Sequence, residues 1–223
     1  LYKNKEVSDA KEQKLLFVSL NLVTSMTKPA LKAAKLLLDG NPSREAYLSV
    51  GSLVNKYCQK FGCESADVKE ISDKFSAKLG KCQPITRQEE DTIVAVLKGI
   101  KNSHTLVAQL LEKVVLCASD KSTARVRVAA FQAYPAASCN KKIVNSALNF
   151  LKNVNEDSEI RIQAYLSLVE CPSAAVANEI KALLDNEKVY QVGSFLTTHL
   201  ASLRASADPT RDAARQHFAN IRT

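Results

Sequence analysis

Apolar residues return along this chain at the spacing of helices, and no run alternates apolar with polar residues as a strand does. Ile93, Val96, Leu97 and Ile100 fall at i, i+3, i+4 and i+7, and Val68, Ile71, Phe75 and Leu79 repeat the pattern on a narrower stripe. Ile143, Ala147, Leu151 and Val154 form another such set, as do Val176, Ile180 and Leu183 or Leu184. Residues at this spacing share one face of a helix, so each segment has one side to bury and one to leave in water. Leu106, Leu110 and Val114, with Val107, Leu111 and Val115, read as the partner of the Ile93 helix. The pattern predicts twelve helices, over residues 8–25, 28–39, 43–61, 65–81, 86–102, 104–118, 123–135, 139–154, 158–170, 173–186, 188–205 and 209–221.

The helices come in pairs, and the pair is a repeat. Ala124-Arg125-Val126-Arg127-Val128-Ala129-Ala130-Phe131 returns thirty-four residues on as Ser158-Glu159-Ile160-Arg161-Ile162-Gln163-Ala164-Tyr165, and more loosely thirty residues further at Tyr190-Gln191-Val192-Gly193-Ser194-Phe195. A self-similar period of this length marks stacked supersecondary units that bury their apolar faces only against neighbours. Connections of a few residues make consecutive helices antiparallel. The expected fold is all-α, a curved solenoid of antiparallel helix pairs, with residues 1–223 forming one helical-repeat domain.

The punctuation agrees. Gly40 can adopt the left-handed conformation that ends a helix, Asn41 can accept bonds from the next helix's free amides, and Pro42 suits a first turn. Asp208-Pro209 gives a second starting signal, and Thr86 with Glu89 forms a capping box. Arg127 and Arg161 occupy the same place in successive units, where an arginine can bond back to the preceding turn. Asp157 is the natural acceptor for one of them, and Gln191 breaks the series.

Residues 15–26 are the most apolar stretch, but twelve residues are too few to cross a bilayer, which takes about twenty, so a buried helix is expected there. The first residue is Leu and no charged, apolar, small pattern of a secretory leader opens the chain, so it is expected to be an internal fragment.

The six cysteines change the picture more than composition does. Spacing and helix geometry pair Cys58 with Cys63, Cys82 with Cys117 and Cys139 with Cys171. If two antiparallel helices turn near residue 156, Cys139 and Cys171 sit at nearly the same height, at 1.5 Å per residue. A turn near residue 103 brings Cys117 back level with Cys82, which would tie two successive units together. Three disulfides imply an oxidising, secreted setting; six free thiols in a cytosolic repeat protein are the alternative. A zinc site is disfavoured, because Cys58-x4-Cys63 has no second close pair and none of His104, His199 and His217 lies near it in sequence.

Catalysis is not expected. His199 falls on or beside a buried helical stripe, His104 reads as a turn residue, and His217 lies on the last helix, none beside a nucleophile. There is no glycine-rich phosphate loop, and Glu89-Glu90-Asp91 suits a helix start. No cofactor or metal is expected. The formal charge of +8 is spread over Lys69, Lys74, Lys78 and Lys81 and over Lys28, Lys32 and Lys35, read first as solvated helix faces. An anionic lipid head group or an acidic partner protein fits such faces; nucleic acid does not, since no binding module or aromatic interleaving appears.

Several segments, in order, resemble the helical domain of the large lipid transfer proteins, the family of vitellogenin, the apolipophorins, apolipoprotein B and the microsomal triglyceride transfer protein. They are Leu53-Val54-Asn55-Lys56-Tyr57-Cys58, Lys78-Leu79-Gly80-Lys81-Cys82, Arg127-Val128-Ala129-Ala130-Phe131-Gln132-Ala133, Ile160-Arg161-Ile162-Gln163-Ala164-Tyr165-Leu166 with Cys171-Pro172-Ser173, and Gln191-Val192-Gly193-Ser194-Phe195 leading to His199-Leu200. Cys82 and Cys117 match the family's helical-domain disulfide, and the other two pairs look like its arthropod apolipophorin branch. The resemblance implies a right-handed, two-layered, lipovitellin-like superhelix, part of a much larger secreted lipoprotein that carries phospholipid and neutral lipid. In such a protein this segment wraps β-sheets that line a lipid cavity; those sheets and the N-terminal β-barrel are not in this sequence. The implied role is a non-catalytic lipid-carrier segment with no lipid-ligand residue of its own. Yolk storage of the vitellogenin type stays open, as does an intracellular helical-repeat adaptor binding an acidic partner. Some arthropod members are also allergens.

Overall fold

A computed structural model describes the backbone of residues 10–105, 108–137 and 139–221. Among these residues there are twelve α-helices and no strand. In order they are α1 (Ala10–Leu20), α2 (Lys28–Lys35), α3 (Arg44–Phe61), α4 (Ala66–Leu79), α5 (Arg87–Ser103), α6 (Ala108–Cys117), α7 (Ala124–Ala133), α8 (Lys141–Lys152), α9 (Ser158–Val169), α10 (Ala174–Leu184), α11 (Tyr190–Ala205) and α12 (Asp212–Phe218). Short 3-10 turns extend α2 and α7 and open α12. Leu106, Val107 and the start of the first expected helix lie outside the described residues.

Local chemistry sets most of the boundaries. The side chains of Thr27, Ser43, Ser65, Thr86, Thr123 and Ser173 each accept a bond from the amide three residues on. Each satisfies one of the amides that a helix start leaves without a partner. At α5 the capping box is complete, with the Glu89 carboxylate accepting from the Thr86 amide at 3.1 Å and the Glu89 amide donating to the Thr86 hydroxyl at 3.2 Å. The start of α3 differs from the sequence reading. Ser43 is the cap, so Asn41 and Pro42 stay in the loop, while Gly40 takes its expected positive φ of 70°. Asp208 caps the turn opened by Pro209, as its sequence suggests.

The chain divides into two compact units, Leu1–Ala137 and Ser138–Thr223. In the first, α1, α3, α5 and α7 pack side by side, α2, α4 and α6 form a second layer, and consecutive helices join the layers. In the second, α9 and α11 pack together, while α8 lies against α9 and α10 and α12 lie against α11. Alternation between two layers is the packing that a helix-pair repeat requires, because each apolar stripe needs a neighbour from another pair.

The stripes occupy the cores. Val68, Ile71, Phe75 and Leu79, then Ile93, Val96, Leu97 and Ile100, are all buried in the first unit. Ile143, Ala147, Leu151, Val176 and Ile180 are buried in the second. Of the two stripes read on α6, Leu110 and Val114 reach the core, whereas Leu111 and Val115 are only partly covered. Val154 lies beyond the end of α8 and is 65% exposed. The apolar stretch at 15–26 is not fully buried either. Phe17 and Met26 are covered, but Leu15, Val18 and Leu22 are exposed, because α1 packs on α3 through one side only.

One contact that periodicity did not announce sets the spacing within the first layer. Gly51 of α3 and Gly99 of α5 meet backbone to backbone. A Cβ on Gly51 would lie 2.8 Å from the Gly99 carbonyl carbon and closer still to its oxygen, and one on Gly99 would lie 2.6 Å from the Tyr47 carbonyl oxygen. Only glycine permits this approach. It also lets the Asn102 amide group donate across to the Leu48 carbonyl at 3.3 Å.

Candidate functional site

The six cysteines stand at the joints between helices. Cys58, in the last turn of α3, is bonded to Cys63 in the following loop. Cys82, between α4 and α5, is bonded to Cys117 at the end of α6, across a separation of 35 residues. Cys139, ahead of α8, is bonded to Cys171 just after α9, across 32 residues. Their Cα atoms are 4.6, 5.0 and 5.2 Å apart, all within the range a disulfide spans. The second bond joins α4 to α6, neighbours in one layer, and the third joins the outer ends of the antiparallel pair α8 and α9. Backbone at Cys82 and Cys139 takes positive φ values of 55° and 58°, which directs each away from its helix.

The repeated arginines are structural. Arg127 Nε donates to the Ala118 carbonyl at 3.2 Å, and Arg161 Nε donates to the Leu151 carbonyl at 2.9 Å, so each ties its helix to the end of the one before. The carboxylate paired with Arg161 is Glu187, not Asp157. Asp157 instead caps α9 by accepting from the Glu159 and Ile160 amides. Arg161 Nη1 reaches Glu187 Oε1 at 3.2 Å and Nη2 reaches Oε2, with the two side chains 0% and 3% exposed. Burial pushes the Glu187 carboxyl up, but the bonds from Arg161 and from the Val189 amide outweigh it and leave the group below the usual carboxylate range. Glu187 escaped the sequence reading because it lies in a loop twenty-six residues from its partner.

Part of the basic surface is spent between helices. Lys35 of α2 donates to Asp67 at 3.0 Å and to Glu70, Lys74 of α4 meets Asp39 at 2.8 Å, and Arg125 of α7 meets Asp91 at 2.9 Å and Glu90 at 2.5 Å. Solvent screening leaves pairs of this kind little weight in stability. Their use is to fix which helix faces which. The Glu90 carboxyl is held below its ordinary range by bonds from Thr123 and Arg125.

The histidines make no catalytic set. His199 Nδ1 lies 2.9 Å from the Tyr165 hydroxyl, and its ring stacks on Phe195 with centroids 5.9 Å apart. Burial, helped by Arg211 and opposed by Glu170, lowers its pKa, and burial raises that of Tyr165. His104 ends α5 in a left-handed conformation, and His217 is exposed in the last turn of α12. Among the described residues no group of three or more His, Cys, Asp or Glu is placed to hold a metal ion. No helix among them is long and apolar enough to cross a membrane.

The chain resembles known proteins along its sequence. The vitellogenin TPR domain model matches residues 2–201. Apolipophorins of Drosophila melanogaster are 43% identical over 96% of the chain, and those of Manduca sexta 42% identical over all of it. A vitellogenin of Penaeus merguiensis is 26% identical over 93%. The chain spans only 6%, 7% and 8% of the length of these three relatives. With a family model covering most of the chain and apolipophorins alike along nearly its whole length, the chain belongs to the vitellogenin and apolipophorin family of large lipid transfer proteins.

Proposed function

We propose that this chain is a structural segment of a secreted, apolipophorin-like lipid carrier, a two-layered helical wall that supports a lipid cavity formed elsewhere in the same polypeptide. The observation that carries the reading is the likeness to apolipophorins at 42–43% identity from one end of the chain to the other. The vitellogenin matches are more distant, which favours a circulating carrier over yolk storage. The three paired cysteines suit an oxidising compartment and weigh against an intracellular adaptor, where thiols stay reduced. Lipid, phospholipid and neutral lipid alike, is bound by the parent particle, and the partners of this segment are the β-sheets of that polypeptide. Its chemistry is mechanical, with no reaction to catalyse.

Two measurements test this. Thiol titration of the denatured, unreduced chain is expected to find almost no free thiol; six reactive thiols would remove the secreted assignment. Antibodies raised against the chain are expected to detect, in the source animal's cell-free body fluid, a polypeptide many times longer that floats with lipid in a density gradient. Recovery only inside cells, or at the density of lipid-free protein, would overturn the lipid-carrier reading.

A further inference from the structure

We infer that the groove between α1 and α2 binds one single-chain fatty acid, with the alkyl tail laid along α2 and the carboxylate held at Lys28 and Lys60. The groove encloses about 340 Å³ in the first unit, within the range of small-molecule sites. This site is independent of the lipid-carrier reading, in which lipid is bound elsewhere in the parent polypeptide.

The shape of the groove sets the tail. Phe17 of α1, Met26 of the following loop and Leu53 of α3 are buried and form its floor. Leu16 and Leu20 of α1, half-buried and one turn apart, make one wall. Thr27, Ala30, Ala33 and Leu37 make the other, at the spacing that keeps side chains on one helix face. The ten residues from Thr27 to Leu37 cover about 15 Å at 1.5 Å per residue. An extended chain advances about 3.3–3.6 Å for every three bonds, so a slot of this length takes about 12 carbons. A helix of the same length, about 10 Å across, would fill about 1,200 Å³, several times the groove, so the fitting occupant is a chain and not a helix.

The ends of the groove set the head. Ser25 and Thr27, the hydroxyl-bearing residues of the lining, both lie where the loop from α1 enters α2, and the rest of the lining is apolar. Lys60 Nζ donates to Ser25 Oγ at 3.2 Å. The Phe61 ring carries that ammonium at 5.2 Å from its centroid and the Lys28 ammonium at 6.0 Å. One aromatic face therefore gathers two cations at the polar end of the groove, and neither has an ion-pair partner among the described residues. At the far end of α2 Lys35 is neutralised by Asp67 and Glu70, so the two ends differ in charge. A slot that is apolar along its length and cationic at one end is complementary to an amphiphile with one tail and one anionic head. The tail gains by leaving water, and the carboxylate accepts charge-assisted bonds from the ammoniums.

The test is calorimetric titration of the full chain with a series of straight-chain fatty acids, octanoate to palmitate, each below its micellar concentration. One-to-one binding is expected, with affinity rising about fourfold per added methylene and levelling off near laurate, where the tail runs out of groove. Ala33→Leu fills the slot from the exposed side of α2 and is expected to weaken laurate about tenfold or more with Tm unchanged. Lys28→Gln with Lys60→Gln is expected to weaken laurate about fivefold or more while changing 1-dodecanol binding less than about twofold, a split that lost packing would not give. The control pair Lys69→Gln with Lys101→Gln removes the same charge from exposed sites outside the groove and is expected to change laurate binding less than about twofold. Absence of saturable binding, a rise that continues unbroken to palmitate, or an equal loss in the control pair overturns the site. So does a laurate-insensitive dimer that Ala33→Leu abolishes, which gives the groove to a second copy, and so does capture by phosphatidylcholine vesicles that laurate does not displace, which gives it to a bilayer. Each of these outcomes leaves the flotation test of the parent polypeptide untouched.

Discussion

Adding one methyl group at Gly51 puts the packing of the first layer to its sharpest test. The new Cβ of Gly51→Ala would lie 2.8 Å from the Gly99 carbonyl carbon and 3.0 Å from its Cα, all of it backbone that cannot rotate away. Comfortable carbon contacts begin near 3.5 Å, so α3 and α5 must part by about 1 Å. Overpacking of this kind costs about 1–3 kcal/mol. The Asn102 to Leu48 bond, already 3.3 Å long, would be stretched beyond use at about 1 kcal/mol more. Against this, alanine in place of glycine inside a helix returns about 0.5–1 kcal/mol. The net expectation is a loss of about 2 kcal/mol, which lowers Tm by about 4–8 °C in a chain of this size. Gly193→Ala is the matched control. Its Cβ would meet only the Glu187 side chain, at 3.5 Å, so the helix gain stands alone and Tm is expected to rise by about 1–4 °C. Scanning calorimetry of both variants against the parent chain reads the two shifts. If Gly51→Ala melts at or above the parent, the close approach of α3 and α5 is not what holds this layer.

Three further outcomes follow from particular contacts. Cys82→Ser is expected to destabilise more than Cys58→Ser, about 4 against about 2 kcal/mol in the chain-entropy model, because their closed loops span 35 and 5 residues; equal Tm losses would refute that account. Arg161→Met strands the buried Glu187 carboxylate and is expected to cost about 3–5 kcal/mol by urea denaturation, whereas Arg161→Met with Glu187→Leu recovers most of it; a double variant no better than the single one would show that the pair is not the cause. The Glu187 carboxyl is lowered in the folded chain, so its stabilisation is full above the unfolded pKa and is lost as pH falls through the lower folded value. His199 is likewise lowered, so the unfolded chain takes the proton first and stability declines as pH drops through and below the ordinary histidine range. An NMR titration of its ring should give a midpoint below 6.5, and a midpoint above that value would contradict the burial described.

The division between what was legible in the sequence and what was not follows the range of the forces involved. A helix declares itself within a dozen residues: the stripe of Ile93, Val96, Leu97 and Ile100, the box of Thr86 and Glu89, and the start at Asp208-Pro209 are all local. The thirty-four residue return of Arg127 as Arg161 is also visible without coordinates, and with it the layering of helix pairs. Where a cap had rivals close by, local reading erred by a residue or two, choosing Asn41 over Ser43.

Partners across the layers were another matter. Arg161 finds Glu187 rather than Asp157, Arg125 finds Glu90 and Asp91, and Gly51 finds Gly99, over separations of 26 to 48 residues. The same holds for a groove lined by Lys14, Arg44 and Lys98, which three separate stretches of sequence supply. Each depends on the register in which one helix lies on the next, and register is settled by the sum of many weak contacts along both faces. The sequence by itself determined that this chain makes amphipathic helices in repeating pairs, because periodicity and capping act within a few turns. Tertiary structure alone decided which charges are neutralised, which are left free and which glycines are indispensable, because those properties belong to pairs of helices and to neither member alone.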